Sequence, residues 1–204
     1  MKVKVEKEEK RQLVHLLLGV LLVILIEIGL IAQIGEILVP KFLEPISRVL
    51  LFVTLSGFVI SFLCREFWVP LVSYFIRKLE REEAMEVLPG KGTLLASVGI
   101  FLTSIFFETN ILSASILALA VGDSFSNLFG KYFGKTRIPY NQKKSLQGSI
   151  GGLVLSTISI SIYFDLPIAI VGGFTAMLIE SISLPLDDNL VIPITTALVI
   201  TLVI

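Results

Sequence analysis

The sequence predicts an all-α integral membrane protein with about seven transmembrane helices and a cytoplasmic N-terminus. Of its 204 residues, 54% are hydrophobic and 17% are charged, and the mean hydropathy is +0.90. This composition is too apolar for an ordinary soluble domain. The apolar residues form several separate runs, which excludes a single membrane anchor. The basic residues fall almost entirely on one side of the alternating runs, which sets the orientation.

A bilayer core about 30 Å thick is crossed by about 20 apolar residues in a helix. Seven runs approach this length, at residues 14–34, 46–64, 93–107, 111–129, 150–163, 166–182 and 190–204. The fifth and seventh are short, because a helix of about 15 residues covers only about 23 Å. We expect flanking residues to extend these two spans or the bilayer to thin around them. Short spans are better suited to packing against protein than against lipid, so association into a homo-oligomer stays an alternative.

The distribution of basic residues orients the predicted spans. If the spans alternate in direction, all of the 17 lysines and arginines except Lys41 and Arg48 lie on one side. Lysine and arginine collect in short cytoplasmic loops, so this side is predicted to be cytoplasmic. The same alternation places the turn of Asp187, Asp188 and Asn189 there. The chemically suggestive groups therefore gather on one face of the membrane.

One domain is expected over residues 1–204, because the sequence contains neither an internal repeat nor a low-complexity linker. Residues 65–91 form the one long segment outside the predicted spans. Their charged stretch at 76–83 predicts an amphipathic interfacial helix. The single Cys64 excludes an intramolecular disulfide. We expect no cleavable signal peptide, since the first apolar run is long enough to span and no cleavage site follows it.

The most informative motif lies in the fourth span, where an acidic residue is followed by an amide and two glycines. If the helix continues to Gly134, then Asp123, Asn127, Gly130 and Gly134 share one face. An ionisable residue at a membrane span is costly and is therefore a functional candidate. Bare glycines let a phosphate or a neighbouring backbone come close. The alternative is that the glycines serve helix packing and that Asp123 is a structural hydrogen-bonding partner.

A basic loop follows this motif. Its lysines are Lys131, Lys135, Lys143 and Lys144, and the last is followed by Ser145 and Gly148. A lysine beside a helix start is a candidate phosphate site, because the backbone N–H groups of the first turn are accessible there. Single lysines of this kind also serve only membrane orientation and contact with anionic lipid. The spacing does not fit a Walker motif.

Other candidates lie elsewhere in the chain. Lys91 stands between two glycines before the third span, where it could hold a phosphate or simply begin a flexible helix entry. Asp187, Asp188 and Asn189 offer oxygen ligands that suit Mg²⁺, although a short acidic turn is commonly a solvated loop. Glu180 and Glu27 are carboxylates within predicted spans. His15 is predicted to be an interfacial histidine rather than a metal ligand, because the chain has no second histidine.

The order of these motifs resembles the polyprenol kinase family, which includes dolichol kinase, phytol kinase and the CTP-dependent diacylglycerol kinases. The resemblance covers nearly the whole chain. It rests on Arg11 and His15, on the segment 89–92, on the central motif with its lysine, serine and glycine sequel, and on 187–189 before Pro193. Phosphatidate cytidylyltransferases and the enzyme that makes CDP-archaeol share a similar segment. Those enzymes are expected to carry a second aspartate a few residues after the first, where this chain has Ser126 and Asn127. Their loop is also expected to differ from residues 142–145 of this chain.

The resemblance implies transfer of the γ-phosphoryl group of a nucleotide, typically CTP, to the hydroxyl of a lipid alcohol at the cytoplasmic face of a multi-pass cell membrane protein. It implies Mg²⁺ as the cofactor, with Asp123, Asp187 and Asp188 as ligands. Catalysis would fall to Asp123, Lys144 and Glu180, with Glu180 orienting the lipid hydroxyl. The implied nucleotide-binding residues are Lys91, Asn127, Gly130, Lys131, Gly134, Lys135, Lys143, Ser145, Gly148 and Asn189.

Two other functions stay open at this point. One is a cytidylyltransferase that uses CTP and a phosphatidic acid analogue. The other is a transporter or channel in which Glu27, Glu108 and Glu180 form a cation path. Against a transporter, the charged and glycine-rich features concentrate at one face, and a pair of interrupted spans typical of an inverted repeat is absent from the sequence. A nucleic-acid partner is not expected.

Overall fold

The computed structural model describes residues 2–70, 72–79 and 87–204, and it is predominantly helical. Within these ranges the helices are α1 (Lys2–Glu27), α2 (Leu30–Ile37), α3 (Pro45–Glu66), α4 (Val72–Leu79), α5 (Lys91–Phe106), α6 (Thr109–Leu117), α7 (Ser124–Phe133), α8 (Leu146–Ile160), α9 (Leu166–Ser181) and α10 (Asp188–Val203). A π-helical turn, Ala118–Asp123, joins α6 to α7. Apart from the first, each predicted span matches one continuous helical segment to within a few residues.

The first predicted span is broken. Gly29 adopts a left-handed conformation with φ of 76°, which a glycine accepts without steric cost, and α1 and α2 meet there at an angle of 74°. Glu27, expected deep within this span, therefore lies at the C-terminal end of α1. Its Oε1 accepts hydrogen bonds from Ser113 Oγ at 2.7 Å and from Tyr163 Oη at 3.0 Å. Glu27 thus joins three segments of the chain at one end of the protein.

The predicted amphipathic helix at 76–83 is described only in part. Its first residues belong to α4, which ends at Leu79, and residues 80–83 lie outside the described part of the chain. α4 packs against α1.

The basic loop, predicted to be irregular, contains a short β-hairpin. Strands β1 (Arg137–Ile138) and β2 (Asn141–Ser145) pair in antiparallel register, with Arg137 opposite Ser145 and Ile138 opposite Asn141. The other elements of the described structure are helical, as the predicted all-α class requires. Two and five residues are too few to show a strand periodicity in the sequence. The hairpin has a structural consequence, because it fixes the direction in which the side chains of β2 point.

The long helical segments alternate in direction, as contacts at both ends of the protein show. At one end Lys131 forms an ion pair with Glu9 of α1, and Ser61 Oγ of α3 donates to the Pro89 carbonyl at 2.7 Å. At the other end Ser47 Oγ of α3 donates to the Ser104 carbonyl of α5 at 2.8 Å. The fourth-span motif, the hairpin and the start of α10 all lie at the first end.

The surface and interior have a composition suited to hydrocarbon surroundings. On α1 the large apolar side chains of Leu17, Leu21 and Ile24 are exposed on one face. Small side chains such as Ala114 and Ser115 are fully buried in the interior. Without water outside, helices associate through close packing of small residues and internal hydrogen bonds. The described structure is therefore consistent with an all-α membrane protein.

By length and composition, two described helices can cross a membrane, α3 and the continuous segment Thr109–Phe133. A third appears if the bent pair of α1 and α2 counts as one span. The apolar helices α5, α8, α9 and α10 have 15 or 16 residues each, which is short for a span. Seven crossings and a cytoplasmic N-terminus remain predictions.

Candidate functional site

Asp123 stands at the end of the π-helical turn and is 8% exposed. Such turns are rare and occur frequently at functional sites. The Asn127 side-chain amide donates to Asp123 Oδ1 at 2.8 Å and to the Asp123 carbonyl at 2.9 Å. The four-residue spacing thus brings these two side chains together as predicted. The helix ends at Phe133, and Gly134, with φ of −69° and ψ of 87°, does not continue this face.

Lys144 brings three carboxylates together. It belongs to β2, and its side chain is 18% exposed. Nζ forms an ion pair with Glu180 of α9 and lies 3.9 Å from Asp123 Oδ1 and 4.0 Å from Asp188 Oδ2. Asp123, Lys144, Glu180 and Asp188 are called the Lys144 cluster below. Its members come from four separate elements, so their proximity depends on how those elements pack.

The pKa of Lys144 is raised above its ordinary value. Burial by itself favours the neutral amine and lowers this pKa, but the negative charges of Asp123 and Glu180 and the hydrogen bond to Glu180 outweigh burial. Lys144 therefore carries a full positive charge at neutral pH. Three carboxylates surround this one ammonium group, so the cluster contains more acidic than basic groups and suits a further cation.

Glu180 occupies the deepest position, with a side chain that is 0% exposed. Its Oε1 accepts a hydrogen bond from Ser126 Oγ at 2.9 Å in addition to its ion pair with Lys144. Oε2 is buried and has no hydrogen-bond partner among the described residues. Glu180 is itself held by Ser126, and it therefore fixes the position of the Lys144 ammonium group.

The acidic turn before α10 meets the glycine-flanked Lys91. Asp187 caps α10, because its carboxylate accepts from the Asn189 backbone N–H at 3.2 Å and from Asn189 Nδ2 at 3.0 Å. Lys91 Nζ lies 4.0 Å from Asp187 Oδ2. A Cβ on Gly92 would lie 3.4 Å from Asn189 Nδ2. Two motifs far apart in the sequence thus come together beside Asp188 of the Lys144 cluster.

The predicted nucleotide-binding glycines lie at the contact between α7 and α8. A Cβ on Gly148 would lie 2.6 Å from the Ser126 carbonyl, and one on Gly130 would lie 3.0 Å from Ser145 Oγ. A Cβ on Gly134 would lie 2.7 Å from the same oxygen. Ser145 caps α8 by accepting the Gly148 N–H at 3.1 Å. In this structure Gly148 therefore permits a close approach to the backbone of α7, whereas Gly130 and Gly134 permit one to the side chain of Ser145.

The remaining predicted lysines lie around the cluster rather than in it. Lys131 Nζ pairs with Glu9 of α1 and lies 5.2 Å from the centre of the Tyr132 ring. The side chains of Lys135 and Lys143 are exposed. They are accessible to a ligand from solvent, and their role in nucleotide binding remains a prediction.

The predicted metal ligands are divided between two contacts. Asp123 and Asp188 approach one another through Lys144, whereas Asp187 faces Asn189 and Lys91. Within residues 2–70, 72–79 and 87–204, the structure groups no three histidine, cysteine, aspartate or glutamate side chains as a metal site. Joint binding of a metal ion by the three aspartates remains a prediction.

Two cavities adjoin the site. One, called the polar cavity for the charged and amide side chains in its partly apolar wall, has a volume of about 150 Å³. It is lined by Arg11, Gln12, Val14, His15, Leu18, Phe75, Ile76, Gly90, Gly92, Thr93, Asp123 and Asn189. The apolar cavity, of about 240 Å³, lies between α1, α2, α3, α5 and α6 with its following π turn. His15, Leu18 and Thr93 belong to the walls of both. The two cavities are therefore neighbours, with Asp123 at the polar one.

Sequence reasoning missed two residues of this site. Ser126 bonds Glu180, and its spacing of three residues from Asp123 is the signal that could have indicated a shared helix face. Gln12 lines the polar cavity, and its carbonyl accepts from Ser124 Oγ at 3.1 Å, which fixes α1 beside α7. The sequence around Gln12 contains no comparable signal.

Comparison with known proteins gives relatives of two kinds. Over 205 residues the chain is 24% identical to an uncharacterized protein of Methanocaldococcus jannaschii, with 95% of this chain and 93% of that protein covered. No family model matches the chain. No solved structure matches it either.

Several other relatives are plant kinases. The chain is 35% identical over 131 residues to a probable phytol kinase 2, chloroplastic, of Oryza sativa subsp. japonica, which covers 55% of this chain and 43% of that protein. It is 32% identical over 126 residues to a farnesol kinase, chloroplastic, of Arabidopsis thaliana, which covers 53% of this chain and 41% of that protein. The match thus spans less than half the length of either plant relative. These similarities support a relation to kinases of isoprenoid alcohols.

Proposed function

We propose that this chain is a nucleotide-dependent kinase of an isoprenoid-type lipid alcohol, with CTP as the phosphoryl donor. The observation that carries the proposal is the Lys144 cluster, a partly buried lysine amid three carboxylates, beside a polar cavity that adjoins an apolar one. The similarity to plant phytol and farnesol kinases supports an alcohol acceptor. The choice of CTP rests on the motif resemblance.

In the proposed reaction, the hydroxyl oxygen of the alcohol attacks the γ-phosphorus of the nucleotide and forms a new P–O bond. The bond between the γ-phosphorus and the β–γ bridging oxygen breaks, and its electron pair leaves with the nucleoside diphosphate. The hydroxyl proton passes to the carboxylate of Asp123. Phosphoryl transfer needs positioning and charge neutralisation more than covalent help, so fixed charges around a cavity are suitable machinery.

The basic side chains at the site would bind phosphate oxygens. Lys144 carries a full charge at neutral pH and is held in one place by Glu180. Lys91 reaches the same region from the start of α5, with 55% of its side chain exposed. Arg11 lines the polar cavity from α1. These three cations approach from different elements, which suits a polyphosphate with charges along its length.

Mg²⁺ is the proposed cofactor, and the donor set fits it. The carboxylates of Asp123 and Asp188 are hard oxygen donors near a shared position, and Asn189 adds an amide oxygen. Mg²⁺ is usually held by one or two carboxylates together with substrate phosphates, so a third aspartate is not needed. When bound, the ion would neutralise charge on the nucleotide phosphates. Three carboxylates around one lysine supply the negative charge that favours it.

A label-transfer assay tests this function. The purified protein in detergent is incubated with Mg²⁺, γ-labelled CTP or ATP, and a panel of lipid alcohols and phosphatidic acids. We expect label in the phosphorylated alcohol. Asp123→Asn should lower the rate by about 100-fold or more, because the charge that binds the metal or takes the proton is gone. Asp165→Asn, at the start of α9 and far from the cluster, is the matched control and should retain the wild-type rate.

Two results would contradict the proposal. Release of labelled pyrophosphate that requires a phosphatidic acid would assign the chain to the cytidylyltransferases. Full activity of Asp123→Asn would remove Asp123 from the site. The proposed setting is a cell membrane with the site on the cytoplasmic face.

A further inference from the structure

We infer that the apolar cavity binds the chain of the alcohol acceptor and that His15 positions its hydroxyl at the entrance to the polar cavity. The inference rests on the proposed kinase function and adds the location and orientation of the acceptor. It begins from the two cavities, which share His15, Leu18 and Thr93 in their walls. A molecule with an apolar chain and one polar end fits this arrangement when its polar end lies at the shared wall.

The lining of the apolar cavity selects an apolar occupant. Its walls are formed mainly by aliphatic side chains, including Leu50, Ile100 and Leu119, each buried in the core. Removing such surface from water is favourable by about 25 cal/mol per Å² of apolar area. A charged or strongly polar ligand would lose its hydration there without gaining partners. The chemistry of the walls therefore indicates a hydrocarbon chain.

The cavity also reaches the outer surface of the protein. Leu18 of α1 and Val53 of α3 line it, and they are 51% and 52% exposed. Both lie on apolar outer faces, with Leu17 and Phe52 beside them. A lipid can therefore place its first carbons in the cavity while the remainder of its chain stays in the surrounding hydrocarbon. This opening identifies the occupant as a membrane lipid rather than a small soluble ligand.

His15 supplies the polar end of this site. Its Nε2 is buried and has no hydrogen-bond partner among the described residues. A buried polar nitrogen without a partner is costly, and most such groups find one in a ligand or in water. When the proton is on Nδ1, Nε2 accepts a hydrogen bond, and the hydroxyl of an alcohol is a suitable donor once the ring turns Nε2 toward the cavity. Asp123 lines the same polar cavity, so the hydroxyl would be presented to the proposed phosphate site.

Photocrosslinking tests the location of the chain without depending on turnover. The full-length protein in detergent is irradiated with a farnesol analogue that carries a diazirine on its chain, and the adducts are mapped by mass spectrometry. We expect adducts on α3 and α5, near Val53 and Ser97. Ala96→Phe, which fills the cavity, should reduce them at least about fivefold. Val53→Trp obstructs the entrance at a half-exposed position and is the second variant, since it does not burden the core.

Val154→Phe on α8 adds the same kind of bulk to an exposed position away from the cavity and should leave crosslinking unchanged. Adducts spread over the outer surface, or adducts that persist in both cavity variants, would overturn the location. Adducts in the cavity without transfer of label to any alcohol would retain the lipid site and reject the kinase. Transfer of label without adducts in the cavity would retain the kinase and reject this site.

Competition tests the role of His15. The concentration of unlabelled farnesol that halves crosslinking should rise about tenfold in His15→Leu, because a hydrogen bond worth about 1.4 kcal/mol is lost. His15→Gln offers an amide near the position of Nε2 and should restore most of the affinity. A purely structural histidine would affect both variants alike. An unchanged concentration in His15→Leu, or equal loss in both variants, would overturn the assignment of His15.

Discussion

Lys143 and Lys144 are adjacent in the sequence and have opposite surroundings. Side chains alternate along a strand, so β2 exposes Lys143 and directs Lys144 toward Asp123, Glu180 and Asp188. Both lysines were predicted to belong to the site, Lys144 in catalysis beside Ser145 and Gly148, and Lys143 in nucleotide binding. At the scale of single residues, the position of a lysine within the hairpin therefore decides whether it joins the cluster.

Replacing Lys144 by Met should destabilise the protein by about 3–5 kcal/mol, because it leaves the buried carboxylate of Glu180 without its positively charged partner. The measurement is the free energy of unfolding from a denaturant titration in detergent. Lys143→Met removes an exposed lysine one residue away and is the control, with a change within about 0.5 kcal/mol. Equal effects of the two substitutions would show that the Lys144 cluster does not stabilise the fold.

The same pair of proteins has a defined pH dependence. A raised pKa means that the contribution of Lys144 to stability is complete below the ordinary lysine value and is lost as pH rises through the folded value. The difference between wild type and Lys144→Met should therefore persist up to about pH 10, near the ordinary lysine value, and shrink only above it. Thermal unfolding at several pH values measures it. A difference that already disappears near pH 8 would mean that Lys144 is not stabilised in its charged form.

At the scale of elements, the contact between α7 and α8 sets the geometry of the site. Gly130 and Gly148 allow the two helices to approach closely, and this places Ser126 where its hydroxyl reaches Glu180. The π-helical turn before α7 carries Asp123 into the same contact. Both interpretations of the glycines, binding of a phosphate and packing of helices, predicted that another group approaches them closely. The structure shows that the partner in this approach includes the backbone of α8.

Gly148→Ala should separate α7 from α8. The new Cβ would lie 2.6 Å from the Ser126 carbonyl, which is backbone and can move only with its helix. We expect a loss of about 1–3 kcal/mol in the free energy of unfolding and weaker activity, since Ser126 would be displaced from Glu180. The control is Ser149→Ala, which removes a hydroxyl that has no hydrogen-bond partner among the described residues. Wild-type stability of Gly148→Ala would refute the close contact.

At the scale of the whole molecule, the alternating helices divide the polar groups between two ends. The Lys144 cluster, Lys91 and the pair of Lys131 with Glu9 lie at one end, while Glu27, Arg48 and Asp165 lie at the other. The uneven distribution of basic residues in the sequence led to the same separation. Four of the apolar helices are short for a bilayer, so the crossing itself requires a direct test.

Site-directed labelling tests the predicted orientation. Lys143→Cys and Asp165→Cys, each made in a Cys64→Ala background, place one exposed thiol at either end of the protein. In intact cells a membrane-impermeant maleimide should label Asp165→Cys, whereas Lys143→Cys should react only after the membrane is opened. Labelling of both from the same side would contradict the predicted seven crossings, and the reverse pattern would place the site outside the cell.

The sequence by itself determined the helices and the end of the protein at which the chemistry lies. Apolar runs and neighbouring charges are local properties, so the predicted spans matched helices, and the spacing of Asp123 and Asn127 predicted their contact. The break at Gly29 and the short hairpin escaped prediction because each depends on a few residues without a periodic pattern.

The tertiary structure decided which residues form the site. The approach of Lys144 to Glu180, the position of His15 between two cavities and the approach of Lys91 to Asp187 join residues that are distant in the sequence. Such contacts follow from the packing of several helices, and side-chain periodicity along one helix contains no information about its neighbours. Local chemistry therefore identified the candidates, and helix packing selected among them, because buried charge is stable only where oppositely charged partners meet it.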